Sequence, residues 1–210
     1  TEAVSAFHGD PGTQVDMLIV REGEDAFITT AERALIAEPV VQSRVRGNEG
    51  YLRIPLFTSA TPDAVVAALA GLAEQIGDNF GGLVIDLRNT PGGSIDAGIE
   101  VADLFLPGGE IATIRGRDDQ IAEVFTAGAG DLLDGGPIVL LADRGTAGAA
   151  ELVAGAFKDH NRAIVLGMQT FGTGSRQSIV PLGDAGFVQL TTGYFYTPSG
   201  AAIDGVGIAP

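Results

Sequence analysis

Two strand-to-helix turns hold the backbone features of this chain that could do chemistry. In the first, LVIDLRNTPGGSIDAG, Gly92 and Gly93 follow an apolar run and precede a helical pattern. Having no side chains, they let the backbone turn sharply and present bare N–H groups. In the second, IVLLADRGTAGAAELVAGA, a helix begins near Ala147 and Thr146 can cap it. The first N–H groups of any helix lack intrahelical acceptors. Donors converging from two such turns can polarise a carbonyl oxygen, as an oxyanion hole does. The same small residues also serve ordinary packing in α/β loops, and spacing alone does not separate the two uses.

The second turn opens the stretch Asp143 to Gln177, DRGTAGAAELVAGAFKDHNRAIVLGMQTFGTGSRQ, around which the chain is organised. Its GTGS at 172–175 lacks the GxxxxGK[ST] pattern of a phosphate loop, and Lys158 is the one lysine in the sequence. Glu151 falls in the first helical turn, where the helix dipole accounts for a carboxylate. Asp159 falls near the helix C-terminus, where a carboxylate opposes the dipole, so a function, a specific partner or plain solvation must explain it. Gln177 reads as a polar residue at a strand edge and His160 as a surface residue.

The elements that must position these turns alternate. Strands are expected at 15–21, 26–32, 51–57, 83–87, 111–115, 137–142 and 163–166, with extended chain from Pro39. Helices are expected from Thr61, from Ser94 to Leu106, and from Ala147 to Asp159. Thr61 reads as an N-cap with Pro62 at the first helical position. Apolar residues at 65, 66, 69, 72, 73 and 76 have helical spacing. Residues 1–7 read as the end of a helix, 117–134 as a polar surface excursion, and 178–182 with 187–196 as a hairpin across Gly183-Asp184. Strands alternating with helices from about residue 48 give an α/β layered domain. The first 45 or so residues are too sparsely apolar for a core of their own.

Composition narrows the function. The 210 residues carry a formal charge of −15, with 12 Lys plus Arg against 27 Asp plus Glu. No basic patch for nucleic acid stands out along the chain, and the same balance disfavours an anionic membrane surface. No apolar run is long enough to span a bilayer, and no signal peptide is visible. The absence of Cys excludes disulfides and thiolate metal sites. The two histidines, His8 and His160, are far apart and no HExxH spacing occurs, so no metal or other cofactor is expected.

Six ordered segments carry a family resemblance over nearly the whole chain: GYLRIPLF at 50–57, DLRNTPGG at 86–93, VADLFLPGG at 101–109, AELVAGAFKDHNRAIVLG at 150–167, QTFGTGSRQ at 169–177 and YFYTPSGAAIDGVGIAP at 194–210. The sequence resembles the carboxyl-terminal processing, or tail-specific, serine proteases. That resemblance implies a ClpP/crotonase-like α/β core over 46–210. It also implies a partial PDZ-like β-rich segment and linker over 1–45, the front of the PDZ module lying before Thr1. It further implies peptide or unfolded protein C-terminal segments as partners, and a periplasmic or other extracytoplasmic location.

The family uses a serine nucleophile and a lysine general base. The serine of its SASAxE-like motif aligns with Gly148 in TAGAAE, and the lysine of its FGKG aligns with Thr173 in FGTG, at the family's spacing of 25 residues. A glycine has no nucleophile, and a threonine hydroxyl cannot replace an amine base at neutral pH. By the same alignment Gln177 matches a glutamine that orients the lysine and Asp159 a further polar position near the site. Gly92, Gly93 and the N–H of Ala149 match the oxyanion-hole region. The resemblance therefore implies a protease scaffold without its reactive pair, a peptide-binding homologue that does not cut. Two alternatives give the same pattern: an active protease with relocated groups, Thr146 and Ser175 each standing two residues from a lost position, or engineered replacement of both residues in an active enzyme.

Overall fold

The structure is a computed structural model and describes residues 7–34, 39–183 and 186–210. The expected helix end at 1–7 falls, apart from Phe7, outside the described residues, as does Asp184 of the expected hairpin turn. The chain forms two compact units, Thr1–Pro39 and Val40–Pro210. In the first, strands β1 (Gln14–Ile19) and β2 (Phe27–Glu32) make an antiparallel hairpin in the register Gln14↔Glu32 to Ile19↔Phe27.

The second unit opens with β3 (Gln42–Arg46) and β4 (Glu49–Arg53), joined at Gly47 and paired antiparallel. This moves the division between the units a few residues upstream of the expected 45/46. The cause is that β3 finds its hydrogen-bond partners on β4, in the sheet of the larger unit. That sheet has the order β3-β4-β5-β8-β9, with β5 (Gly82–Asp86), β8 (Ile138–Ala142) and β9 (Ile164–Gly167) parallel to β4. A second sheet has the order β10-β11-β6-β7: β6 (Gly109–Arg115), β7 (Ile121–Ala127), β10 (Ser175–Pro181) and β11 (Phe187–Tyr196).

Three α-helices are present among the described residues of the unit. Helix α1 (Thr61–Ile76) packs against β3 and β4 through Val65, Leu69 and Leu72, whereas Val66 faces solvent. Thr61 does not cap it. Its hydroxyl accepts the Thr58 N–H at 2.8 Å, and the helix starts one residue earlier than expected with Pro62 in its first turn. Helix α2 (Ile95–Asp103) is capped by Ser94, whose hydroxyl accepts the Ala97 N–H at 3.2 Å. Helix α3 (Ala149–Asp159) is buried continuously from Ala149 to Phe157. Only a helix enclosed on all sides is apolar around its whole circumference; α3 packs on α2, on β9 of one sheet and on β6 of the other. Its small residues permit this, and Phe157 meets Phe105 edge to face at 5.7 Å.

The polar excursion expected at 117–134 contains β7. Its sequence, IAEVFTA, is largely apolar though most of its residues are exposed, and its backbone pairs with β6 across two register shifts.

Candidate active site

The first turn leaves β5 through Asp86, whose carboxylate is almost wholly buried. It accepts from the Arg88 side chain at 2.9 and 2.6 Å, from the Arg88 N–H at 3.0 Å and from the Tyr51 hydroxyl at 2.5 Å. Burial pushes this carboxyl up, but those hydrogen bonds outweigh it and hold the pKa at about 2. Beyond this anchor, Thr90 donates to the Ile54 carbonyl at 2.6 Å and accepts the Ala147 N–H on its own carbonyl at 2.9 Å. The two turns are thereby tied together.

Gly92 and Gly93 have φ of 105° and 115°, a region that favours glycine. A Cβ on Gly93 would lie 2.1 Å from the Phe57 carbonyl oxygen, and one on Gly92 2.9 Å from that of Ala147. The Gly92 carbonyl accepts from the Phe57 N–H and the Ser94 N–H donates to the Phe57 carbonyl. Among the described residues neither the Gly93 N–H nor the Ala149 N–H has an acceptor within the protein.

At the second turn Thr146 is fully buried. Its hydroxyl donates to the Leu87 carbonyl at 2.8 Å and accepts the Asp143 N–H at 3.0 Å. It therefore braces the turn and does not cap α3, which starts two residues later than expected. The N-cap is Gly148, at φ 54° and ψ −118°, a combination that strains a residue with a side chain. The sharp strand-to-helix turn that displays the nucleophile in α/β-hydrolases is strained in the same sense.

Glu151 is the residue that sequence reasoning undervalued. Its side chain is fully buried. One carboxylate oxygen accepts the Gly148 N–H at 3.0 Å and the Thr173 N–H at 2.7 Å. The other accepts the Gly172 N–H at 2.6 Å and the Thr170 hydroxyl at 2.5 Å. One side chain thus staples the 170–173 loop to the start of α3. The capping-box spacing of Glu151 to the helix start was the available signal; the donors from the distant loop left none.

The structure brings Gly93, Gly148, Thr173 and Gln177 to one cleft of about 410 Å³, walled by Ile114, Phe125 and Phe195 and by the polar residues Asp96, Glu123, Ser175 and Arg176. Gly92 and Ala149 are not in the cleft lining but adjoin it, the Cβ position of Gly92 being 3.4 Å from both the Ala149 nitrogen and the Gly148 Cα. The Gln177 amide donates to Thr191 at 2.8 Å and Ser175 at 3.2 Å, within its own sheet.

Asp159 is not brought to the cleft. It ends the eleven-residue helix that Gly148 caps, roughly 16 Å away at 1.5 Å per residue. It accepts the Ser199 N–H at 2.8 Å. Burial raises its pKa, but hydrogen bonds from Thr197 and Ser199 outweigh burial and lower it overall. Lys158 donates to the Ala209 carbonyl at that same distant end, and His160 meets the Glu110 carbonyl. Among the described residues no cluster of His, Cys, Asp or Glu has the arrangement of a metal site.

Residues 48–210, which hold both turns and the cleft, match peptidase family S41. The chain belongs to that family. It is 44% identical over 211 residues to a carboxy-terminal-processing protease of Bartonella bacilliformis, covering all of this chain and 49% of that protein. It is 37% identical over 162 residues to the chloroplastic C-terminal processing peptidase of Tetradesmus obliquus, covering 77% of this chain and 34% of that one. The solved photosystem II D1 C-terminal processing protease superposes with a TM-score of 0.77 at 30% identity, over 96% of this chain and 55% of that one. This S41 chain thus has the mixed α/β fold of C-terminal processing serine proteases and spans about half the length of the curated relatives it matches. No helix among the described residues is long and apolar enough to cross a membrane.

Proposed function

We propose that this S41 chain is a peptide-binding homologue that has lost proteolysis. It receives protein C-terminal or unfolded segments in the cleft beside α3 and does not cleave them. The observation that carries this reading is the α3 N-cap. Gly148 sits where the aligned serine would, in the strained geometry suited to displaying a nucleophile, with no side chain. Thr173 faces the same cleft at the aligned lysine position. The free N–H groups of Gly93 and Ala149 are suited to receive a substrate carbonyl, so binding survives where bond-breaking does not.

The geometry disfavours relocated chemistry. The Thr146 hydroxyl is buried and committed on both sides. Ser175 does line the cleft, but its nearest partner is the Gln177 amide, a donor and not a base. The one lysine lies at the far end of α3. By likeness to the family, the β1–β2 hairpin is the tail of a PDZ-like module and the protein works outside the cytoplasm.

The test incubates purified protein with an unfolded substrate and with a fluorescent peptide bearing an apolar C-terminus. Saturable binding without product is expected. Product formation that Ser175→Ala abolishes would overturn the proposal in favour of relocated groups.

A further inference from the structure

Three adjacent residues, Ser175, Arg176 and Gln177, all line the cleft. Successive side chains of a strand point to opposite faces. Ser175 and Gln177 share one face, their side chains meeting at 3.2 Å, and Arg176 takes the other. The pairing of β10 with β11 shifts register between Arg176 and Gln177, the extra residue, Thr192, lying on β11. Arg176 is the one basic residue of the cleft lining, in a chain of net charge −15.

Arg176 meets Glu123 at 2.5 Å. The two sit on β10 and β7, the outer strands of a four-stranded sheet, which in a flat sheet would stand roughly 14 Å apart. The pair of long side chains reaches across that sheet, and both residues line the cleft. It passes the level of Gly193, the partner of Arg176 on β11, where any Cβ would lie 2.6 Å from Ile114. Both side chains are nearly half exposed, at 45% and 43%. An ion pair so exposed holds its geometry weakly and exchanges readily. A guanidinium in a cleft that a ligand covers binds a carboxylate far more firmly, through two parallel N–H donors.

Resting on the reading of this cleft as a peptide site, we infer that Arg176 is its carboxylate-recognition residue and that Glu123 is the internal carboxylate occupying it until a ligand arrives. The ligand class is a peptide carrying a carboxylate, either its own C-terminus or an acidic side chain. Binding exchanges one carboxylate for another at Arg176 and frees Glu123 to solvent.

The experiment measures fluorescence anisotropy with three peptides of one apolar core: a free C-terminus, an amidated C-terminus, and an amidated C-terminus with one internal glutamate. Arg176→Gln is expected to weaken the carboxylate-bearing peptides by about tenfold or more and leave the neutral amide within about twofold. Glu123→Gln is expected to tighten the same peptides severalfold. Whichever carboxylate responds identifies the source. Arg176→Lys, which keeps the charge but not the fork, is expected to lose less; it serves as the second variant if Arg176→Gln fails to fold by circular dichroism. Equal binding of all three peptides, unchanged by Arg176→Gln or Arg176→Lys, would sink this inference and leave the peptide site standing. So would weaker binding by Glu123→Gln. No binding of any peptide by wild type or Glu123→Gln would remove both.

Discussion

Gly148→Ser tests the α3 N-cap at its most informative atom. The added Cβ meets only Gly92 Cα at 3.6 Å and the Pro91 carbonyl at 4.0 Å, ordinary contact distances. Packing therefore adds no penalty, and the cost lies in the backbone. A side chain at φ 54° and ψ −118° costs about 1–3 kcal/mol of strain. Loss of glycine's freedom in the unfolded chain returns about 0.4–1 kcal/mol. The net destabilisation is about 1–2 kcal/mol. For a unit of about 170 residues this lowers Tm by about 2–8 °C. Gly148→Ala should show the same shift, since both carry a Cβ. Calorimetry or a circular-dichroism melt reads it. A variant as stable as wild type, or more stable, would refute the strained-cap argument.

The chemistry follows from the same substitution. Gly148→Ser alone should not cleave, because no base faces it. Gly148→Ser with Thr173→Lys should recover slow proteolysis and label with a fluorophosphonate at position 148. Thr173 is exposed, so a lysine there stays protonated at neutral pH until a substrate covers it. Because the base must be neutral, the rate should climb with pH between about 7 and 10. A folded double variant that neither labels nor cleaves would show that more than two side chains were lost.

The remaining predictions concern what holds the cleft. Glu151→Ala orphans three backbone donors and a hydroxyl in the interior, at a cost of about 3–5 kcal/mol by urea unfolding, with loss of cleft binding. Gly93→Ala drives a Cβ into the Phe57 carbonyl and should cost about 3 kcal/mol or more, well beyond Gly148→Ala. Asp86, lowered from 3.8 to about 2 in the fold, contributes about 2 kcal/mol above pH 4, lost as pH falls from about 4 to about 2. Asp86→Asn should lack that sloping portion of the acid stability curve. Asp159→Ala should cost about 1 kcal/mol and leave peptide affinity unchanged, since its partners are Thr197 and Ser199 and not the cleft; a large affinity loss would return it to the site.

What the sequence disclosed, and what it hid, follows from how local each determinant is. Gly92 and Gly93 were legible because a turn writes its φ requirement into the residue that adopts it. The alternation of apolar runs with helical spacing specified the layered α/β core in the same local way. Glu151 was misjudged because three of its four donors sit within 170–173, some twenty residues along, and a carboxylate near a helix start already has a sufficient local explanation. Asp159 left a function, a specific partner and plain solvation open. The structure supplies the partner, the Thr197–Ser199 segment, which a one-dimensional reading cannot bring near it. Arg176 was invisible for a third reason. Its ion pair depends on the pairing that brings β10 and β7 into one sheet, and that is not a property of any one segment. The misplaced caps at Thr61 and Thr146 are local, each hydroxyl serving a backbone N–H three residues before it, whereas Glu151, Asp159 and Arg176 depend on long-range polar contacts. The two positions on which the proposed loss of cleavage turns, Gly148 and Thr173, came from alignment and not from any local rule. The strained turn at Gly148 emerges only with a helix start two residues later than expected, and Thr173 is held at the cleft by a carboxylate 22 residues away.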